Sequence, residues 1–269
     1  MGLKQIKALL DHYACQYNRP EFIAEDPIQI PHRFSLLQDR EIIGLLTAVI
    51  AWGQRKTIIQ SAQKIIALMQ GQPYRFVLNH HPEELRPLAQ FVHRTFNGTD
   101  LLYFVHFLKW YYQRHESLET AFSNAISPDD LTVEKGLIHF HRLFFSLAEA
   151  PARTRKHIPT PERNSACKRL NMFLRWMVRR DEAGVDFGCW PSIRPAQLVC
   201  PLDLHVERVA RKLGLLKRRQ TDWKAALELT ENLRLLDKND PVRYDFALFG
   251  LGLTSKHNPC LEYFSLAIS

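Results

Sequence analysis

Apolar positions along this 269-residue chain recur at helical spacing and seldom alternate. Residues 41–51 read EIIGLLTAVIA, apolar nearly all round, the pattern of a buried helix. Gly53 interrupts it, and Ile58, Ile59, Ala62, Ile65, Ile66 and Met69 then mark a second helix. Asp100 is placed to cap a third, rich in aromatics: Tyr103, Phe104, Phe107, Trp110 and Tyr111. The helical pattern continues through residues 118–125 and 132–148. In residues 165–179, Ala166, Leu170, Phe173, Leu174 and Met177 share one side, with Lys168, Arg175 and Arg179 on the other. Asp203 precedes a helix with Val206, Val209, Ala210 and Leu213 inward, stopping at Gly214. Another helix covers residues 222–236. A last one opens at Asp240-Pro241, a cap followed by proline in the first turn, and ends near Gly250 or Gly252. Strand patterns are scarce and no repeat is apparent, so the fold class is all-α.

Two stretches break the pattern. Residues 151–163, PARTRKHIPTPER, are Pro-rich and basic and read as a linker or exposed loop. Residues 181–202 hold Gly184, Gly188, Pro191, Pro195 and Pro201 and read as a long irregular connection.

Composition narrows the partner. A hydrophobic content of 46% is ample for a packed core and excludes disorder as the dominant state. No apolar run is long enough to span a bilayer, and the polar, charged start is not a secretory signal, so no membrane role and a cytoplasmic location are expected. The cysteines, Cys15, Cys167, Cys189, Cys200 and Cys260, are odd in number and form no CxxC pair, which points to neither disulfides nor a metal or iron–sulfur cofactor. Lys and Arg total 36 against 28 Asp and Glu, a formal charge of +8 that favours a polyanionic partner such as a nucleic acid.

Candidate chemistry concentrates in residues 201–215, PLDLHVERVARKLGL, where an acid stands at a helix entrance after an extended segment. Asp203, His205, Val206, Arg208, Val209, Leu213, Gly214 and Leu215 fall in the order of the Val-Asp-x-His-Val-x-Arg-Val and Arg-Leu-Gly-Leu strings of the helix-hairpin-helix DNA glycosylases. The chain resembles that superfamily, which includes endonuclease III and the 8-oxoguanine glycosylases, and a related bacterial family of unknown function. Residues 39–69 resemble its first core helices and residues 246–252 its late closing helix. Residues 164–170 occupy the place of its hairpin, Leu-Pro-Gly-Val-Gly-x-Lys-Thr-Ala, keeping the lysine as Lys168 but neither glycine. The superfamily's four-cysteine cluster is absent.

The resemblance implies two helical subdomains with a cleft between them, residues 36–150 forming one and residues 1–35 with 151–269 the other. It implies base-excision chemistry on double-stranded DNA carrying a damaged base or an abasic site. Asp203 would stabilise positive charge on the sugar and Lys168 would attack the sugar carbon, permitting abasic-site lyase action. The damaged base must leave the stack, and Trp52, Trp190 and Phe246 are its candidate walls. Gln54 matches the superfamily's DNA-inserting glutamine, while Arg55, Lys56, Arg94, Arg169 and His205 are candidate DNA contacts. The alternative is a non-catalytic DNA- or RNA-binding protein of the same fold, and a helical interaction protein with incidental charge is a third reading.

Overall fold

In the computed structural model, residues 2–254 are described, and they form thirteen α-helices with one two-residue hairpin. The helices are α1 (Leu3–Tyr17), α2 (Pro20–Glu25), α3 (Leu37–Val49), α4 (Arg55–Leu68), α5 (Pro73–Asn79) and α6 (Arg86–Ala89). After the strands β1 (Val92–His93) and β2 (Phe96–Asn97) come α7 (Gly98–Tyr112), α8 (Thr120–Ser123), α9 (Glu134–Phe144) and α10 (Lys168–Val178). The chain continues with α11 (Leu204–Lys212), α12 (Trp223–Arg234) and α13 (Asp245–Thr254). Cys260 lies outside the described residues. Among the described residues no helix is long and apolar enough to cross a membrane.

The all-α expectation holds, and α3 is its centre. Every residue from Glu41 to Val49 is buried, and Phe173 and Met177 of α10 lie against Gly44. Elsewhere α13 packs between α1 and α11. The hydrophobic period alone would admit Glu41 only as an exception. Its carboxylate is instead the hub of a buried cluster, accepting from Tyr112 Oη (2.8 Å), Ser117 Oγ (2.5 Å), Leu118 N (3.0 Å) and Trp190 Nε1 (2.6 Å). Burial pushes its pKa up, and these four donors oppose the shift.

Several local expectations change. Asn97, not Asp100, caps α7, its side chain accepting from the amides of Thr99 and Asp100. Asp100 is fully buried in the first turn and accepts from Asn97 N (2.9 Å) and Thr154 Oγ1 (2.8 Å), with Arg153 at 3.0 Å and His157 at 3.3 Å. That carboxylate draws the 151–163 stretch onto the core. The stretch is therefore no free linker: Thr154, His157, Ile158, Thr160 and Pro161 are buried along two 3₁₀ turns, Ala152–Lys156 and Pro161–Arg163. Gly98 makes this corner possible, because a β-carbon there would lie 2.0 Å from the Ala89 carbonyl oxygen. Backbone cannot rotate away as a side chain can, so Gly98→Ala is expected to cost about 3 kcal/mol in urea unfolding.

Helix α10 also departs from its two-sided pattern, since Leu170 through Val178 are all buried, Arg175 included. Arg175 meets Asp186 (3.2 Å) and Asp245; Arg179, just past the helix, meets Asp181 (2.6 Å), Asp186 (3.2 Å) and Asp240 (2.8 Å). Asp240 thus serves Arg179 rather than capping a helix, and α13 begins at Asp245 and runs past both glycines. Residues 181–202 are irregular, with a single 3₁₀ turn at Pro195–Gln197. They are held nonetheless: the amides of Phe187, Cys189 and Trp190 donate to the Trp176 and Met177 carbonyls at 2.7 to 3.0 Å.

Candidate functional site

A cleft of about 540 Å³ opens where four helix starts converge. Ala51, Trp52, Gly53, Arg55 and Ile58 contribute one wall, from the loop and first turn of α4. Lys168, Arg169, Met172 and Arg175 come from α10, and Pro201, Leu202, Asp203 and His205 from the entrance to α11. Asp245, Phe249 and Leu253 of α13 close it with Phe22, Asp26 and Pro27. Residues remote in the chain, Trp52, Lys168 and Asp203, therefore share one cavity.

Asp203 caps α11 as its position dictates. One carboxylate oxygen, Oδ1, accepts from the amides of His205 (2.8 Å) and Val206 (3.0 Å), which leaves Oδ2 without a protein partner among the described residues. Lys168 is half-buried, and the one hydrogen-bond contact of its Nζ among the described residues is Met172 Sδ, at 3.5 Å. The residue before it, Cys167, is buried with φ +48°, and Asn164 has φ +56°. The turn thus takes left-handed backbone at two residues that are not glycine, at a cost for cysteine that asparagine bears more easily. Asn164 anchors the turn, its side-chain amide donating to Asp222 (3.0 Å) and its carbonyl accepting from Trp223 N (3.2 Å).

Trp52 is half-buried and held from several sides. His157 stacks at 5.8 Å and 24°, His93 meets it edge-on at 5.2 Å, and the Arg169 guanidinium lies 4.8 Å from the ring centre. Arg169 donates to the carbonyls of Val49 and, at 3.3 Å, Lys156. Burial lowers its pKa to about 10. Arg55 lies 5.0 Å from the Phe249 ring centre. His205 is half-buried, with Nδ1 3.3 Å from the Gly252 carbonyl and its ring edge-on to Phe249.

The other candidates fall outside. Trp190 is buried in the core, committed to Glu41 and packed edge-on against Phe173, so it is no wall of this cleft. Phe246 is buried beneath the guanidinium groups of Arg175 (4.4 Å) and Arg179 (5.4 Å), and Phe249, one turn on, takes the exposed place. Gln54 is exposed at the N-cap of α4, between cleft residues Gly53 and Arg55. Lys56 is exposed and does not line the cavity. Arg94 sits behind the loop: Gly53, at φ +101°, leaves room for it, since a β-carbon there would lie 2.7 Å from its Nη1.

Sequence reasoning missed Asp245, which the Asp-Pro pair upstream masked as an ordinary helical residue. Burial pushes its pKa up to about 6; Arg175 opposes the rise, Asp203 adds to it and Lys168 opposes it. Two carboxylates and a lysine are thus electrostatically coupled in one cleft, the kind of arrangement that marks a site for charge chemistry. Among the described residues no group of His, Cys, Asp or Glu could hold a metal ion.

Residues 26–254 match a family model described as a protein of unknown function, DUF2400. The chain belongs to that family. Comparison with curated proteins and with solved structures finds no match. Every cleft residue except Phe22 lies inside the span shared with DUF2400.

Proposed function

We propose that this cleft excises a damaged base from double-stranded DNA and that Lys168 can carry the reaction on to strand cleavage. The observation that carries this reading is the convergence of Lys168 and Asp203 on one cavity beside Trp52. Its volume suits a flipped nucleotide, which must leave the stack to be reached. Lys168 Nζ passes a proton to water and, as the free amine, attacks C1′ of the sugar. The C1′–N bond breaks, and its electron pair leaves with the base, which takes up a proton. The amine proton then passes to the ring oxygen as the C1′–O bond opens, leaving an iminium on Lys168. Loss of a C2′ proton expels the 3′ phosphate. Asp203, with Oδ2 free and Oδ1 fixed, offers negative charge to the sugar as positive charge develops on it. Borohydride trapping on abasic and damaged-base duplexes tests the proposal; a wild-type protein that traps on none of them refutes the lyase step.

Asp245 gives this chemistry a pH signature. Its pKa of about 6 makes it neutral in acid and anionic above, so its charge joins that of Asp203 only as pH rises. Base release is expected to climb through pH 6, by up to about tenfold per unit on the acid side. In Asp245→Asn that limb flattens, as a rate profile across the range will read.

The missing hairpin glycines favour a second reading, binding without base release. Steep salt dependence of DNA binding with no released base on any lesion would select it.

A further inference from the structure

Three arginines line the cleft, and they differ in how their charge is met. Arg175 is paired with Asp186 and Asp245. Arg55 and Arg169 have no carboxylate within ion-pair distance among the described residues, although Asp26, Asp203 and Asp245 line the same cavity. Arg55 Nη2 is buried and donates to nothing among the described residues. Among the described residues Arg169 meets only backbone carbonyls, and burial already weakens its hold on its proton. Leaving a largely desolvated cation without a counter-charge and a buried donor without an acceptor is costly, and the fold has carboxylates nearby that it does not spend here.

The aromatic partners define what remains open. Arg169 lies over Trp52 and Arg55 over Phe249, at 4.8 and 5.0 Å from the ring centres. A guanidinium lying over a ring has one face covered and its N–H groups at the rim, where they can grip a tetrahedral oxyanion. Among the described residues Arg55 gives none of them to an acceptor, and Arg169 gives one from each Nη to a carbonyl, which leaves its Nε and the second hydrogen of each Nη. We propose that Arg55 and Arg169 form a phosphate subsite in the cleft. The subsite deepens the glycosylase reading and rests on it for the source of the phosphate, the diester flanking the extruded nucleotide. A phosphate monoester of a free nucleotide offers the same chemistry. Cations from the starts of α4 and α10 would then hold the phosphate while Asp203 and Asp245, at the starts of α11 and α13, face the sugar's developing positive charge.

The test compares thermal unfolding of the full chain in inorganic phosphate and in chloride at equal ionic strength. Phosphate is expected to stabilise the wild type selectively. Arg55→Gln and Arg169→Gln are expected to weaken phosphate binding about tenfold each, the loss typical of one charge-assisted hydrogen bond. Lys224→Gln, an exposed change on α12, serves as the control and keeps the effect. Arg169 also braces two carbonyls, so Arg55→Gln decides the matter if Arg169→Gln fails to fold. No phosphate-specific stabilisation, or stabilisation that survives Arg55→Gln, overturns the subsite. A second arm measures binding of a duplex with an abasic-site analogue and of a deoxynucleoside monophosphate. Duplex binding whose salt slope falls by about one in Arg55→Gln supports the subsite and names the diester as its source. Arg55-dependent binding of the mononucleotide but not of the duplex supports the subsite while removing the glycosylase reading.

Discussion

Lys168→Ala is expected to abolish borohydride trapping on abasic duplex DNA while leaving DNA binding within a fewfold of wild type. Among the described residues the amine is the one nucleophile of its kind in the cleft, its one hydrogen bond is to Met172 Sδ and it joins no ion pair, so its removal is expected to leave the fold intact. A fall of about a thousandfold or more in trapped product follows if the lysine forms the covalent bond, because water offers no comparable imine route. Asp203→Asn separates the two carboxylate roles. Asparagine still caps α11 through its side-chain oxygen, so the fold survives, but the negative charge facing the sugar is lost. Base release is expected to fall by about a hundredfold or more. Equal trapping by wild type and Lys168→Ala would remove the lysine from the mechanism.

The largest stability effect is expected at Arg175. The residue is 5% exposed, and its guanidinium bridges Asp186 of the irregular segment to Asp245 of α13, with Phe246 beneath it. Arg175→Ala leaves two buried carboxylates without that partner, a loss of about 3–5 kcal/mol. For a chain of this size that corresponds to a drop in Tm of roughly 10 °C. Burial raises the pKa of both carboxylates, so the native state takes up protons more readily than the unfolded chain. Stability lost in the variant is therefore expected to be partly restored as pH falls from 7 towards 5. Calorimetry at the two pH values checks both statements, and a gap that widens in acid would contradict the assignment.

Much of the fold was legible because helices write their signals locally. The apolar period marks α3 and α4, and the Asp203 and Asp222 caps bound α11 and α12 in residues that lie within a turn of one another. Polar residues that serve distant partners were misread. Asp100 stands where a cap would but gathers Arg153, Thr154 and His157, and Arg175 and Arg179, opposite the apolar side of their helix by period, anchor the network behind α10. Trp190 had the composition of a base platform, but its indole N–H belongs to Glu41, 149 positions earlier in the chain.

By itself the sequence determined a helical chain of net charge +8, the capping position of Asp203 and the left-over lysine at the start of a helix. Helical period and caps depend on neighbours a few residues apart, so a linear reading can reach them. Tertiary structure alone decided which charges are paired and which face the cleft, since the partner that neutralises a buried cation can stand 70 residues away, as Asp245 does from Arg175. It also decided that Phe249 rather than Phe246 faces the cavity, and that among the described residues Arg55 and Arg169 are left without a carboxylate partner beside Lys168. Burial makes those pairings consequential: in water an unmatched guanidinium costs little, and within the walls of this cleft it calls for an anion.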